Sequence, residues 1–263
     1  MGNREIYPSP PLVLTIVELR HTATPALTDS DQASLKAVLA ERFPLFRPID
    51  RMVNFSMTPA GIAPQQTTDP RYMTRDNTAS ITYRPDAIVV ETTRYHRRSS
   101  LRELVHLAVA ARQKVAPADG ITRLGVRYIN EIRVGIERPT DWAAWIAPAL
   151  TSISALQAGT DVQAQSWQGL AVFGDQDCGV ALRHGNLEGY AVDPSGDLRR
   201  SATPPPGPFY LLDLDSYWSP AAETPPVDWS DIERRYDAVA LSAYELFEQL
   251  VTKDCREVLR RDQ

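Results

Sequence analysis

The stretch Ile121-Thr-Arg123-Leu-Gly125-Val-Arg127-Tyr-Ile-Asn130-Glu-Ile-Arg-Val134 constrains the fold more than any other in the chain. Its β-branched and tyrosine content predicts a long strand, whose alternate side chains face opposite ways. Leu124, Val126, Tyr128, Ile132 and Val134 then form a core face, with Asn130 as its one polar member. Ile121, Arg123, Gly125, Arg127, Ile129 and Glu131 form the other face, where the two guanidinium groups stand roughly 13–14 Å apart at the usual strand rise. Two arginines on one face of a central strand need counter-charges or a ligand.

The pattern on either side predicts how that strand is packaged. Pro11–His21 is a near-continuous apolar run, hence a buried strand, with Glu18 and Arg20 near its end. Thr28-Asp-Ser30 caps a helix with Leu35, Val38, Leu39 and Phe43 at helical spacing, closed by Pro44. Arg51–Thr58 reads as a strand and residues 59–70 as a loop. Tyr72–Arg84 and Ala87–Tyr95 read as an antiparallel pair turned at Pro85-Asp86. Ser99-Ser100 are the expected cap of a helix with its stripe on Leu101, Leu104, Val105, Ala108 and Val109. Beyond the central strand come a weak helix over 141–150 and a hairpin, Val162–Phe173 with Gly179–Arg183, across residues 174–177. A proline-rich exposed loop over 193–208, a strand Phe209–Trp218 and one long helix from Asp228 to about Val258 complete the chain.

Residues 1–118 and 119–263 therefore share the order β-α-β-β-β-α. The expected fold is α+β: two such halves, a candidate duplication, sharing a curved, mostly antiparallel sheet covered on one face by helices. Helix-grip and TATA-box-binding-protein-like folds offer an analogy of architecture, which carries no function by itself.

Four blocks occur in a fixed order: Pro11-Leu-Val-Leu-Thr-Ile-Val-Glu18-Leu-Arg20, Arg123-Leu-Gly-Val-Arg127-Tyr-Ile-Asn130, Leu212-Asp-Leu-Asp215 and Phe247-Glu-Gln-Leu-Val-Thr252-Lys-Asp254-Cys-Arg256-Glu257. Together they resemble a sporadically distributed bacterial family of proteins of unknown function, over essentially the whole chain. The R-x-G-x-R-Y-I-N block is the most specific part of the resemblance. The first strand departs from the pattern, with Leu14-Thr-Ile standing in place of a Glu-Ala-Val-like run. The resemblance implies one full-length bacterial module and no reaction.

Candidate chemistry concentrates on charged strand faces. On the last strand Asp213 and Asp215 share a face, roughly 7 Å apart, within reach of one hydrated Mg²⁺. Facing Arg123, Arg127 and Glu131, with Glu18 and Arg20 beside them, they form either a site where arginine holds a phosphate or carboxylate, or a set of internal ion pairs. Glu18-Leu-Arg20 and Glu91-Thr-Thr-Arg94 are also compatible with the lining of a triphosphate tunnel enzyme. The Glu-x-Glu-x-Lys strand of that class is missing, and the chain holds only three lysines. A second candidate is the basic run Arg94, Tyr95, Arg97, Arg98 and Arg102, where guanidinium groups contact a phosphate backbone and Tyr95 stacks on a base. Cationic side chains are mildly unfavourable at a helix N-terminus. No nucleophile elbow, phosphate-binding loop, dinucleotide fingerprint or zinc motif occurs.

Charge is uneven along the chain: residues 84–114 hold seven Arg/Lys against three Asp/Glu, and residues 211–257 hold eleven Asp/Glu against four Arg/Lys. Such segregation either offers a surface to an anionic partner or is neutralised inside the fold. Without an apolar run near the roughly 20 residues of a membrane span, no membrane partner is expected. The two distant cysteines and the polar N-terminus point to the cytoplasm. The expected role is a non-catalytic binding, accessory or regulatory protein, using an exposed sheet face for a protein partner or a small anionic ligand, with no cofactor. The alternatives are a Mg²⁺-dependent enzyme on a phosphorylated substrate, with Asp213 and Asp215 as ligands, and nucleic-acid binding through residues 94–102.

Overall fold

The computed structural model describes residues 7–58, 61–133, 141–153 and 166–261. Val134 and residues 162–165, read above as strand, lie outside these. Among the described residues eleven strands and five α-helices follow in chain order: β1 (Leu12–His21), α1 (Asp29–Leu39), β2 (Leu45–Phe46), β3 (Ile49–Thr58), β4 (Gly61–Asp69), β5 (Arg71–Met73), β6 (Ala79–Tyr83), β7 (Ala87–Thr92), α2 (Arg98–Val115), β8 (Ile121–Ile132), α3 (Pro148–Thr151), β9 (Trp167–Gly174), β10 (Cys178–Gly189), β11 (Gly207–Trp218), α4 (Trp229–Leu250) and α5 (Lys253–Leu259). A short 3₁₀ turn, Trp142–Ala144, precedes α3.

The fold is α+β around one open sheet to which both halves contribute; between α1 and α2 stand six strands rather than three, because the short β2 and the β3–β4 ribbon are added to β5, β6 and β7. Nine described strands run in the order β2-β5-β6-β7-β1-β8-β11-β10-β9, and every pairing among them is antiparallel. β1 and β8 meet at the middle. Outward from that seam the first half runs β7, β6, β5 and the second runs β11, β10, β9, the same order mirrored.

α1, α2 and α4 cover one face. Val17 and Leu19, Ile81 and Tyr83, Ile88 and Val90, Leu124 and Val126 pack there against Leu35 and Leu39, Leu101 and Val105, Ile232 and Tyr236. A second cluster in the other half joins Ile132, Leu182, Tyr210, Leu212 and Leu214 to Ala243, Leu250 and Cys255. Trp142 belongs to this core and donates its indole N–H to Asn186 at 2.9 Å.

Several local expectations change, each for a physical reason. Residues 61–69 are strand rather than loop, pairing with β3 as a separate ribbon. The Tyr72–Arg84 strand is split into β5 and β6 by a turn, where Asn77 takes φ 58° and Asp76 accepts hydrogen bonds from Thr74 and Thr78. Ile121 moves to the core face because the β1–β8 register shifts between Arg20 and His21, leaving Thr122 as an extra residue. Arg97, not a serine, is the N-cap of α2. The terminal helix breaks at Val251, which is extended and bridges to Ile146, and Thr252 recaps α5 through Cys255 N.

Candidate functional site

β8 carries chemistry on both of its faces. On the face away from the helices, Asp215 lies directly across from Arg127 and Asp213 across from Ile129. Both arginines reach along the strand instead of straight across. Arg127 Nε and Nη2 donate to the two oxygens of Asp213 at 2.7 and 2.6 Å. Arg123 Nη2 donates to both oxygens of Asp215 at 3.0 and 2.9 Å. To get there Arg123 lies over Gly125, where an added Cβ would stand 2.3 Å from Arg123 Nη1. The Arg-x-Gly-x-Arg spacing is thus a path for one guanidinium across a residue without a side chain.

The pairing extends across the sheet. Glu18, across from Gly125 on β1, accepts from Arg20 Nε at 2.6 Å and lies 3.5 Å from Arg123 Nη1 and 3.4 Å from Arg84 Nη1. Asp69 takes Arg51 at 2.7 Å and Arg84 at 3.7 Å. Arg183 Nη1 stands 3.6 Å from Asp213. Glu131 accepts from Arg133 Nε at 2.8 Å and Arg200 Nη1 at 3.3 Å. The loop over 193–208 is exposed, as expected, and is tethered at a few points: Asp197 pairs with Arg71 and Arg199 N donates to Asn77 O at 2.8 Å, while just before it Ala191 N donates to Glu131.

This face therefore brings together Glu18, Arg20, Arg123, Arg127, Glu131, Asp213 and Asp215, and matches them mainly to each other. The Asp213 side chain is 4% exposed and that of Arg127 36%. Its bond to Asp213 raises the pKa of Arg127 above the ordinary arginine value, against the opposing effect of burial. Among the described residues no three His, Cys, Asp or Glu side chains converge as a metal-ligand set.

The opposite face of β8 floors a cavity of about 610 Å³. Tyr128, Asn130 and Leu214 form the sheet side. Ala240, Ala243, Tyr244 and Phe247 of α4 form one wall, and the segment from Tyr7 to Leu12 forms another. The start of α2 lines the remaining end with Tyr95, His96, Arg97, Arg98, Ser99 and Arg102; His96 and Arg97 are exposed, so the cavity has a mouth here. A smaller cavity of about 270 Å³ on the other side of Tyr95 and His96 is lined by Arg42, Arg94 and Leu101 among others.

Two features make the mouth electropositive. The first turn of α2 has neither a side-chain cap nor an acidic residue, so the N–H groups of its first turn carry the full positive end of an 18-residue helix. The arginines add to this. Arg98 and Arg102 pair with Asp237 at 3.2 and 2.9 Å, and Arg102 with Glu233 at 3.1 Å, so the basic and acidic stretches of the sequence partly neutralise each other. Arg94 lies 3.7 Å from Asp76. Arg97 is exposed and has no carboxylate partner among the described residues.

Tyr95 is turned inward, its ring edge-on to Tyr128 at 5.8 Å. Burial, with the neighbouring Tyr236 and Tyr95, pushes the Tyr128 phenol well above its ordinary pKa, so it stays a neutral hydroxyl. Asn130 is 5% exposed; its amide nitrogen donates to Leu212 O at 3.0 Å, and no described group donates to its amide oxygen. Sequence reasoning reached the basic mouth but missed the interior. The signals for it were Asn130, alone and polar on a core face, and small Ala240 and Ala243 one turn apart on an apolar stripe.

The cysteines offer no activated nucleophile. Burial pushes the exposed Cys178 thiol up, with Asp175 adding to it, and raises buried Cys255 to about 11. Among the described residues no helix is long and apolar enough to cross a membrane. Neither a scan against protein-family models nor a search of curated proteins returns a match to the chain.

Proposed function

We propose that this is a non-catalytic binding protein that holds a small anionic ligand in the cavity beneath the N-terminus of α2. One observation carries the reading: a cavity of about 610 Å³ with a largely apolar interior opens at an uncapped, acid-free helix N-terminus rimmed by Arg97, Arg98 and Arg102. That volume is within the range of small-molecule sites, which combine apolar walls with a few placed polar groups. The helix end and the guanidinium groups bind an anionic head. Basic residues at this helix end disfavour the empty fold slightly, and a bound anion reverses the sign. The same geometry favours a small ligand over nucleic acid, because Tyr95 is committed to the cavity wall.

The charged sheet face supports a second reading, an acidic protein partner. Among the described residues Arg20, Arg51, Arg84, Arg123, Arg127 and Arg183 meet only the carboxylates Glu18, Asp69, Asp213 and Asp215, and the side chains of Arg20 and Arg183 are each 53% exposed. A metal-dependent activity at Asp213 and Asp215 would require Mg²⁺ to displace two guanidinium groups already seated there. The mirrored strand order about the β1–β8 seam supports reading residues 1–118 and 119–263 as copies of one unit.

The test is thermal unfolding with benzoate and with inorganic phosphate. A ligand that binds only the folded state raises Tm with its concentration. Arg97→Glu reverses the mouth arginine that has no carboxylate partner among the described residues, and is expected to abolish the rise while leaving the unliganded Tm within about 2 °C, as for a surface change. If neither anion moves the Tm of the wild type, the cavity reading fails.

A further inference from the structure

The shape of the cavity and the polar group at its far end restrict which anion fits. α4 gives the length: Asp237 pairs with the arginines at the mouth, and Phe247 stands ten residues on, roughly 15 Å along a helix. β8 runs alongside in the same direction, since Val126 shares a cluster with Tyr236 and Val239 while Ile132 shares one with Ala243 and Leu250. Asn130 therefore lies beyond Tyr128 as seen from the mouth, one same-face step or roughly 7 Å further. A single ring seated on the arginines stops at Tyr128, and a longer rigid body reaches Asn130.

Along the way the lining is aromatic. Tyr95 and Tyr128 stand near the head end, Tyr244 and Phe247 on α4, and Tyr7 beside Phe247 with ring centroids 6.5 Å apart. Such walls favour a planar aromatic body over a flexible chain, through ring-to-ring geometry and a smaller loss of rotational freedom. Beyond them stands an acceptor, the Asn130 amide oxygen, on a residue only 5% exposed, to which no described group donates; a ligand atom there meets it only by donating a hydrogen bond.

We infer that the ligand is an elongated aromatic acid, its anionic head on the N-terminus of α2 and a hydroxyl or amine donor at its opposite end on Asn130. This rests on the cavity reading, so the experiment separates the two. Isothermal titration of the whole protein uses four probes: biphenyl-4-carboxylate, 4′-hydroxybiphenyl-4-carboxylate, dodecanoate and inorganic phosphate. The hydroxylated biphenyl is expected to bind about five- to tenfold more tightly than its parent, the worth of one buried hydrogen bond. Asn130→Leu is expected to erase that advantage while the parent still binds. Should Asn130→Leu not fold, Asn130→Ser is measured, and the wild-type ratio already decides.

Equal affinities for the two biphenyls in the wild type, or an advantage that survives at Asn130→Leu or Asn130→Ser, overturn the donor assignment. Tightest binding by dodecanoate overturns the aromatic class. In either case phosphate binding that is lost in Arg97→Glu keeps the anion cavity itself. No binding by any of the four probes removes both.

Discussion

At the scale of single residues the pair Arg127–Asp213 is asymmetric. The carboxylate is nearly closed off from water, and the guanidinium is about one-third open to it. Removing the carboxylate lets Arg127 turn to solvent. Removing the guanidinium strands a buried charge with only Arg183, 3.6 Å away and half-exposed, as a partner. Arg127→Met is therefore expected to cost about 2–4 kcal/mol and Asp213→Asn only about 1 kcal/mol. The double variant is expected to be more stable than Arg127→Met alone. Urea unfolding of the three variants checks this, and an Asp213→Asn cost above that of Arg127→Met would falsify it. The pairs of Glu18 with Arg20 and Arg84 are more open and individually contribute little, whereas Glu131 is closed in between Arg133 and Arg200. The sequence showed that four such charges share two strand faces; it could not show the offset, because which carboxylate a long arginine takes depends on register and on the gap left by Gly125.

At the scale of elements, helix starts and hairpins obey local chemistry where the side chains themselves supply it. The Thr28 cap of α1 is legible because Thr28 and Asp31 satisfy each other's backbone donors. The start of α2 is not, because nothing caps it. The β9–β10 hairpin depends on Gly174, whose φ of 103° is open to glycine, and a Cβ there would stand 2.2 Å from Cys178 O. Because the clash is with backbone, Gly174→Ala is expected to cost at least about 2 kcal/mol, read as a lower urea midpoint with an unchanged m-value. A cost within 0.5 kcal/mol, roughly that of a neutral surface change, counts against this geometry. β9 is also an edge strand without a proline or a charge, and it exposes Leu170 and Val172 at 65% and 64%. Edges of that kind are usually blunted.

At the scale of the whole molecule, the buried His21 and the half-buried His184 shape the response to mild acid. His21 is 3% exposed, and its pKa is lowered first by burial, with the Thr22 carbonyl opposing and Arg112 assisting; that of His184 is lowered by burial. Unfolded, both take up a proton near pH 6.5. Above that pH neither state is protonated and the stability is complete. Below it the unfolded chain gains protons that the folded one refuses, so stability falls as pH drops through 6.5 toward the lowered folded values, at up to about 1.4 kcal/mol per pH unit for each histidine. Chemical denaturation between pH 5 and 8 is expected to show this slope, and His21→Gln to reduce it. A profile that is flat from 7 to 5.5 contradicts the assignment.

The sequence by itself determined the alternation of β8. Period-two patterning puts Arg123 and Arg127 on one face and Tyr128 and Asn130 on the other, because successive side chains of a strand cannot point the same way. It also determined where the long helices and the main strands begin and most of the apolar stripes, since these follow from backbone geometry and burial along one segment; the β3–β4 ribbon, the split of β5 from β6 and the break at Val251 were not in it. Tertiary structure decided what each face of β8 is for. The charged face closes on itself because β11 and β1 bring Asp215, Asp213 and Glu18 within reach, contacts between residues up to about a hundred positions apart. The cavity exists because α2 starts uncapped just where α4 passes with two alanines, a space that belongs to no segment alone. Local patterning carries no information about such a space, which is set by the distances between elements.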